Sequence, residues 1–371
     1  MARPRIRISG LGLCLLSSLL FASCTPGSPA ASEGIATEVP GRSAAASASA
    51  PPPASADVPS PAASAAAGDD RLLQTIAMQG GPDMPMEAFG SLWVLTVDGP
   101  IMGDDVPPSV QRIDPATGEV IATVALPGRL CQGIGASPDA LWACGPDGLR
   151  RIDPNTNSVV AEVPFHAPLA VTRIAFGAGS IWAFATATVG PDTVVRIDTV
   201  TNSVAATIPL GHVAGTMAFG FDALWVTSPA DDLLLRVDPA TNVVEEWSAG
   251  IEGAGQVAAG ADALWVTLYG EHGAQAPDGA ATIVRIDAAS GDVTAEIDAG
   301  TGLEDSSGIV ATADAVWVRG TDPFLVRIDP QTAKLVDQID GDHGTGDVTV
   351  AFDSVWATSE HGRVMRFSPV P

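Results

Sequence analysis

The sequence predicts an all-β protein: a seven-bladed β-propeller of four-stranded antiparallel blades, with the last blade closed by the N-terminal strand. Three observations lead there. An apolar-Trp pair recurs at Leu92-Trp93, Leu141-Trp142, Ile181-Trp182, Leu224-Trp225, Leu264-Trp265, Val316-Trp317 and Val355-Trp356. Each pair is followed by an Arg-Ile-Asp-like unit beginning at Arg112, Arg151, Arg196, Arg236, Arg285, Arg327 or Arg366. Successive Trp lie between 39 residues (Trp317 to Trp356) and 52 residues (Trp265 to Trp317) apart. Short alternating apolar runs fill that period, which suits one four-stranded blade.

Blade 5 shows how the strands are assigned. Gln256 to Ala259 reads as the inner strand A, Ala263 to Thr267 as strand B, Thr282 to Ile286 as strand C and Val293 to Ile297 as the outer strand D. Gly260-Ala261-Asp262 makes the A–B turn. The C–D turn is Asp-Pro-x-Thr-Gly/Asn, as in Asp114-Pro115-Ala116-Thr117-Gly118 and Asp153-Pro154-Asn155-Thr156-Asn157. Pro presets φ there, Asp accepts backbone N–H bonds and Gly or Asn takes the left-handed position. The repeated Asp are therefore turn residues, the Trp inter-blade packing, and the repeated Arg partners for a neighbouring carboxylate or carbonyl. Only five residues follow Arg366, so the last blade lacks its own strand D. Leu73-Gln74-Thr75-Ile76 supplies one, which removes the open edges that otherwise template aggregation.

The phrases Gly90-Ser91-Leu92-Trp93-Val94 and Arg112-Ile113-Asp114-Pro115-Ala116-Thr117-Gly118 resemble the virginiamycin B lyase-like and YVTN-type propeller repeats of bacteria. The resemblance spans about residues 71–371 and implies the fold. The lyase of that group opens a cyclic peptide antibiotic with a histidine base and a magnesium ion. Its catalytic spacing finds no counterpart in this chain, so the activity does not carry over with the blade motif.

Upstream of the repeats, residues 1–23 read as a lipoprotein signal peptide. Arg3, Arg5 and Arg7 form a basic n-region, Ile8 to Phe21 an apolar core, and Ala22-Ser23 precede Cys24 as small residues do in a bacterial lipobox. Cys24 is the expected lipidation site, and the membrane, reached through that lipid, the expected first partner. Residues 24–70 are Ala/Ser/Pro-rich and too poor in large side chains to offset ordering entropy, so a disordered tether is expected. As a coil it would span roughly 35–40 Å. The expected location is the cell envelope, on the extracytoplasmic side of a bacterial membrane. In that oxidising setting Cys131 and Cys144 are expected to form a disulfide, because the blade 2 A–B turn at Ser137-Pro138-Asp139 lies midway between them.

The formal charge is −25, or about −28 once three leader arginines leave with no acidic residue. A surface so acidic repels phosphate backbones, which argues against nucleic acid as a partner. Such charge also simply keeps a secreted monomer soluble.

Spacing shows which face carries variation. From each Arg to the next Trp the interval is 29 to 32 residues, whereas from each Trp to its own Arg it runs from 9 to 20. Variable length thus lies in the B–C loops, which share the top face with the D–A loops, and variable loops on a rigid scaffold are where binding resides. The longest, Asp98 to Gln111 and Tyr269 to Thr282, belong to blades 1 and 5. The second holds Glu271-His272, and blade 7 repeats the pair as Glu360-His361. His166, His212 and His343 fall in D–A loops, with Asp342 beside His343.

Imidazole beside carboxylate suits a divalent metal, or a base next to a metal-polarised substrate. The candidate metal ligands are Glu271, His272, Asp342, His343, Glu360 and His361, and the candidate catalytic residues His272, His361, Glu271 and Glu360. Alternatively these are solvated loop side chains. Met78, Met84 and Met86, assigned to the first D–A loop, and Met102 in the long loop of blade 1 offer thioethers that suit Cu(I) but more often fill gaps. Two functions follow: a lipid-anchored module binding a ligand or protein at its top face, or a metal-dependent lyase or lactone hydrolase acting there. Apart from such a divalent ion no cofactor is expected.

Overall fold

A computed structural model describes residues 70–97, 107–126, 133–145, 147–165, 173–185, 191–269, 281–303, 307–342 and 346–370. The chain divides into compact units 1–62 and 63–371, and every described residue belongs to the second. That unit contains seven four-stranded antiparallel sheets and, among the described residues, no helix. The four strands of blade 5 are Ala254–Gly260, Ala263–Leu268, Thr282–Ile286 and Val293–Asp298. Strand A of each blade touches strand A of the blades before and after it, and blade 7 touches blade 1, so the sheets form a closed ring with strand A innermost.

Closure works as the sequence predicts. Leu72–Ala77 pairs antiparallel with strand C of blade 7, Arg363–Phe367, from Leu72↔Phe367 at the lower end to Ala77↔Arg363 at the upper. Arg71 carries the same segment onto blade 6, where it forms an ion pair with Asp337 and donates to the Gln338 carbonyl at 2.8 Å. Gln74 reaches blade 1 by donating to the Thr117 carbonyl.

The core is seven inter-blade clusters built on one rule. Each repeated Trp is at most 1% exposed and packs into the following blade. Trp93 meets Leu141 and Ile152, Trp265 meets Val316 and Val318, and Trp356 completes the circle against Leu92 and Val94. Burying so large a ring between sheets makes each Trp worth about 3–5 kcal/mol on truncation.

The turns follow the sequence chemistry closely. In six blades the Asp of Arg-Ile-Asp or Arg-Val-Asp accepts backbone N–H bonds from residues two or three further on, as Asp198 does from Val200 and Thr201. These bonds hold the Asp198, Asp238, Asp287 and Asp329 carboxyls below the usual carboxylate range. Gly118, Asn157, Asn202, Asn242 and Gly291 take positive φ as expected, and blade 6 places Ala333 there at 52°. Five A–B turns carry two consecutive positive-φ residues, such as Ala261 and Asp262, the pattern of a tight hairpin whose twist matches its strands.

One assignment changes. Met84 and Met86 lie not in the first D–A loop but in strand A of blade 1, Gly81–Ala88, which is lengthened by a bulge between Asp83 and Met86. Met84 is 5% exposed and packs with Trp93 and Leu95, a gap-filling role. Met78 belongs to a different cluster, between blades 7 and 1. Met102 lies outside the described residues.

Candidate functional site

The upper ends of the A strands converge on the ring axis, and there side chains from non-adjacent blades meet. Arg173, just before strand A of blade 3 (Ala175–Gly177), donates from Nε to Gln256 Oε1 of blade 5 at 3.1 Å. Its Nη1 lies 2.8 Å from Asp347 Oδ2, just before strand A of blade 7 (Val348–Ala351). Blades 3, 5 and 7 touch this way only across the central opening. The Asp347 side chain is 2% exposed and that of Arg173 26%, so the pair is largely withdrawn from water. Asp83 of blade 1 completes the charged set beside Asp347 and Arg173.

The repeat explains why these residues meet. Arg173, Thr216, Gln256 and Asp347 each stand nine positions before their blade's Trp, and Asp83 stands ten before Trp93 across the bulge. In blades 4, 5 and 7 that residue's backbone N–H donates to the Oγ1 of a threonine two positions after the Trp: Thr216 to Thr227 at 3.0 Å, Gln256 to Thr267 and Asp347 to Thr358 at 2.8 Å. Shared anchoring holds the three residues at one register, from which Gln256 and Asp347 reach Arg173. Blade 6 has Gly308 at this register, and the Asp347 carboxylate fills the space that a Cβ there would need.

Electrostatics at the axis are uneven. Burial and then the Asp347 charge push the Asp83 carboxyl up to about 6, against the Met84 N–H bond and Arg173, which pull it down. Burial works against the charge of Arg173, but Asp347 and Asp83 outweigh it and hold the guanidinium above its ordinary value. Asp347 is spent on Arg173 and the Val348 N–H. Among the described residues the Asp83 carboxylate takes one hydrogen bond, which its Oδ1 accepts from Met84 N at 2.8 Å. A carboxyl poised near 6 can accept a hydrogen bond, balance a cation or exchange a proton near neutral pH.

Of the histidine candidates, His361 lies on the B–C turn of blade 7. Asp342 and His361 do come together, His361 Nδ1 lying 3.1 Å from Asp342 Oδ1. The other oxygen of Asp342 accepts from Ser359 at 3.0 Å and from Arg363 at 3.2 Å. Burial pushes the Asp342 carboxyl up, but the bonds from His361 and Ser359 and the Arg363 charge together hold it below the usual range. The Ser359 hydroxyl accepts from the His361 backbone N–H at 3.3 Å, but hydroxyl and imidazole both bond the carboxylate, so this is no nucleophile–base chain. An arginine on the same carboxylate already supplies the cation.

Blade 4 repeats the device with the roles exchanged: His212 Nδ1 lies 2.9 Å from Asp231 Oδ2, which also accepts from Ser228. Glu360 neighbours His361 on the B–C turn of blade 7. Glu271, His272 and His343 lie outside the described residues, as do Cys24 and Cys131. Among the described residues no group of three or more His, Cys, Asp or Glu is arranged to hold a metal ion.

Loop length points to the rim, but the residues that meet at the axis sit at strand starts. Alignment on the Trp would have exposed them, as would the position of Arg173 outside the Arg-Ile-Asp frame.

Ring and axial cluster together define a seven-bladed β-propeller with a polar, charge-bearing mouth at one end of its axis. Solved structures of the same shape include virginiamycin B lyase from Staphylococcus aureus, 17% identical over 80% of this chain and 99% of that one, with a TM-score of 0.62. Kuenenia stuttgartiensis hydrazine synthase (13% identity, 84% and 99% coverage, TM-score 0.59) and the Neurospora crassa Pan2 WD40 domain (9%, 79% and 90%, 0.58) also match. Identities this low show the fold alone. No family model matches the chain, and no curated protein does.

Proposed function

We propose that the protein is a monomeric, lipid-anchored extracytoplasmic binding module whose ligand enters the axial mouth from the top face. The observation that carries this reading is Arg173 reaching from blade 3 to Gln256 of blade 5 and Asp347 of blade 7. Stability does not require an ion pair across the opening of a ring already held by seven Trp clusters. Charges withdrawn from water are costly unless they serve a defined arrangement. Asp83, raised toward neutrality with one hydrogen bond, adds an unsaturated group at the same place.

The path of the chain agrees with an anchor upstream. Leu72 enters the ring at its lower end, away from the mouth. Intact-mass measurement checks the anchor: Cys24→Ala should lose the acyl chains and leave the membrane, and a mutant still acylated and membrane-bound refutes it. Supporting the Cys131–Cys144 disulfide, Cys144 N donates to the carbonyl of Gly133, two residues from Cys131, at 2.9 Å. Two labelled thiols from this pair in denatured, unreduced protein would refute the bridge.

Ligand-detected NMR with a charge-balanced fragment set tests the function. Hits on the wild type should vanish in Gln256→Trp, which fills the mouth, and persist in Asp314→Asn, which lies at an A–B turn on the opposite face. Hits that survive Gln256→Trp refute the axial mouth as the binding site.

A further inference from the structure

The charge balance at the axis, together with one unspent hydroxyl, narrows the ligand. Two carboxylates, Asp83 and Asp347, face one guanidinium, Arg173. Arg173 is engaged by Asp347 and Gln256, and among the described residues Asp83 has no cation beyond its share of that same guanidinium. The independent observation is Thr216. It is 4% exposed, and its Oγ1 is buried with no hydrogen-bond partner. A buried hydroxyl left unpaired costs about 1–3 kcal/mol, so such groups are rare unless something else satisfies them. Thr216 holds the same register as Gln256 and Asp347, and its backbone is anchored by the same threonine device, which gives it the same place on its strand as theirs.

We propose that the axial mouth seats the cationic head of a small organic ligand, a primary ammonium or a guanidinium, with Asp83 as its counter-ion and Thr216 Oγ1 as a further acceptor. This rests on the reading that ligands bind at the mouth. An anion is disfavoured because, among the described residues, the one guanidinium at the mouth is spent on Asp347 and the remaining charge, on Asp83, is negative. A divalent metal is disfavoured because it requires several free oxygen ligands. Asp347 is committed to Arg173, whose charge repels a dication beside it. An ammonium needs only one carboxylate and neutral acceptors, and it carries three donors, while a guanidinium carries five. The acidic protein, at −25, also enriches cations near its surface. Groups facing Asp83 are Asp347, Arg173 and the Met84 N–H, with Tyr269 beside Arg173. Binding therefore weakens as pH falls through about 6, where Asp83 takes up its proton.

The test uses the full mature chain and saturation-transfer NMR with n-butylammonium and methylguanidinium, n-butanol as the neutral control, and MgCl2 as competitor. Both cations should bind at pH 7.5 and weaken roughly tenfold at pH 5, since one unit of protonation is a tenfold effect, and n-butanol should give no signal. Asp83→Asn keeps an oxygen for the Met84 N–H and should therefore fold, which circular dichroism checks. It should lose cation binding at least tenfold at pH 7.5 and lose the pH dependence. Thr216→Val, of the same shape, should weaken binding by a smaller factor. Cation affinity unchanged in Asp83→Asn overturns the proposal, and so does Mg²⁺ displacing the amines at lower concentration than they bind. Neutral or anionic fragments that bind the wild type and are lost in Gln256→Trp would overturn the cationic seat while leaving the mouth as the binding site.

Discussion

Ser180→Ala and Ala263→Ser perturb one interaction in opposite directions. In blade 3 the Arg196 guanidinium donates from Nε to Ser180 Oγ at 2.8 Å, and its Nη1 reaches the carbonyl of Pro239 in the next blade. Blades 1 and 7 are built alike, through Ser91 with Arg112 and Ser354 with Arg366, each at 2.8 Å. Blades 2, 5 and 6 carry Ala140, Ala263 and Ala315 at that position, two before the Trp, and there the Nε atoms of Arg151, Arg285 and Arg327 are buried without a partner. A hydrogen bond to a charged donor contributes about 1.5–3 kcal/mol net.

Ser180→Ala should therefore cost roughly that amount and lower Tm by about 3–12 °C at the 2–4 °C per kcal/mol typical of chains this size. Ala263→Ser should raise Tm by about 2–4 °C. The gain is smaller because the new hydroxyl must itself be desolvated at a site that is 0% exposed in the wild type. Blade 5 is the right host, since Pro330 of blade 6 offers the carbonyl that the rebuilt arginine would reach. Near-UV circular dichroism, sensitive to the buried Trp, and urea midpoints measure both variants. Shifts of the same sign in both, or a Ser180→Ala change within 1 °C, would refute the reasoning.

Three further outcomes are expected. Asp83 has a native pKa raised to about 6 from an unfolded value near 3.9, so the native state binds more protons between those values and stability falls as pH rises through the window. Asp83→Asn should match the wild type below about pH 4 and exceed it by about 2–3 kcal/mol above pH 6, read from urea midpoints across pH. Asp342 has the opposite sign: its depressed carboxyl contributes stability that is present above the unfolded value and lost as pH falls through the native one. Carbon-detected NMR should show its titration midpoint rise in His361→Ala and in Arg363→Ala, and an unmoved midpoint would remove those contacts. Ala333→Gly relieves a left-handed alanine at φ 52° and should stabilise by about 0.5–1 kcal/mol, whereas a loss of stability would show that the Ala333 methyl matters more than its backbone.

Much of the ring was legible in one dimension because a propeller repeats one local solution seven times. The C–D turn needs Asp, Pro and a left-handed residue at fixed spacing, and Asp198 or Asp238 reads as such without any neighbour in view. Trp93 to Trp356 announce their packing by recurrence, and the missing strand D of blade 7 predicts the closing role of Leu72–Ala77. Local backbone chemistry and hydrophobic period determine all of these. The axial cluster was hidden for the complementary reason. Arg173, Gln256 and Asp347 are separated by 83 and 91 residues in sequence, and they meet only because closing the ring carries three strand starts to one axis. Likewise His361 and Asp342 were recognisable as neighbours across adjoining loops, but Arg363 and Ser359 completing their bonds depended on side-chain direction. Sequence by itself determined the blade, the turn and the closure, since each is a property of contiguous residues. Only tertiary structure decided which polar groups share a dielectric, and hence that Asp83, unremarkable in its strand, shares one guanidinium with Asp347.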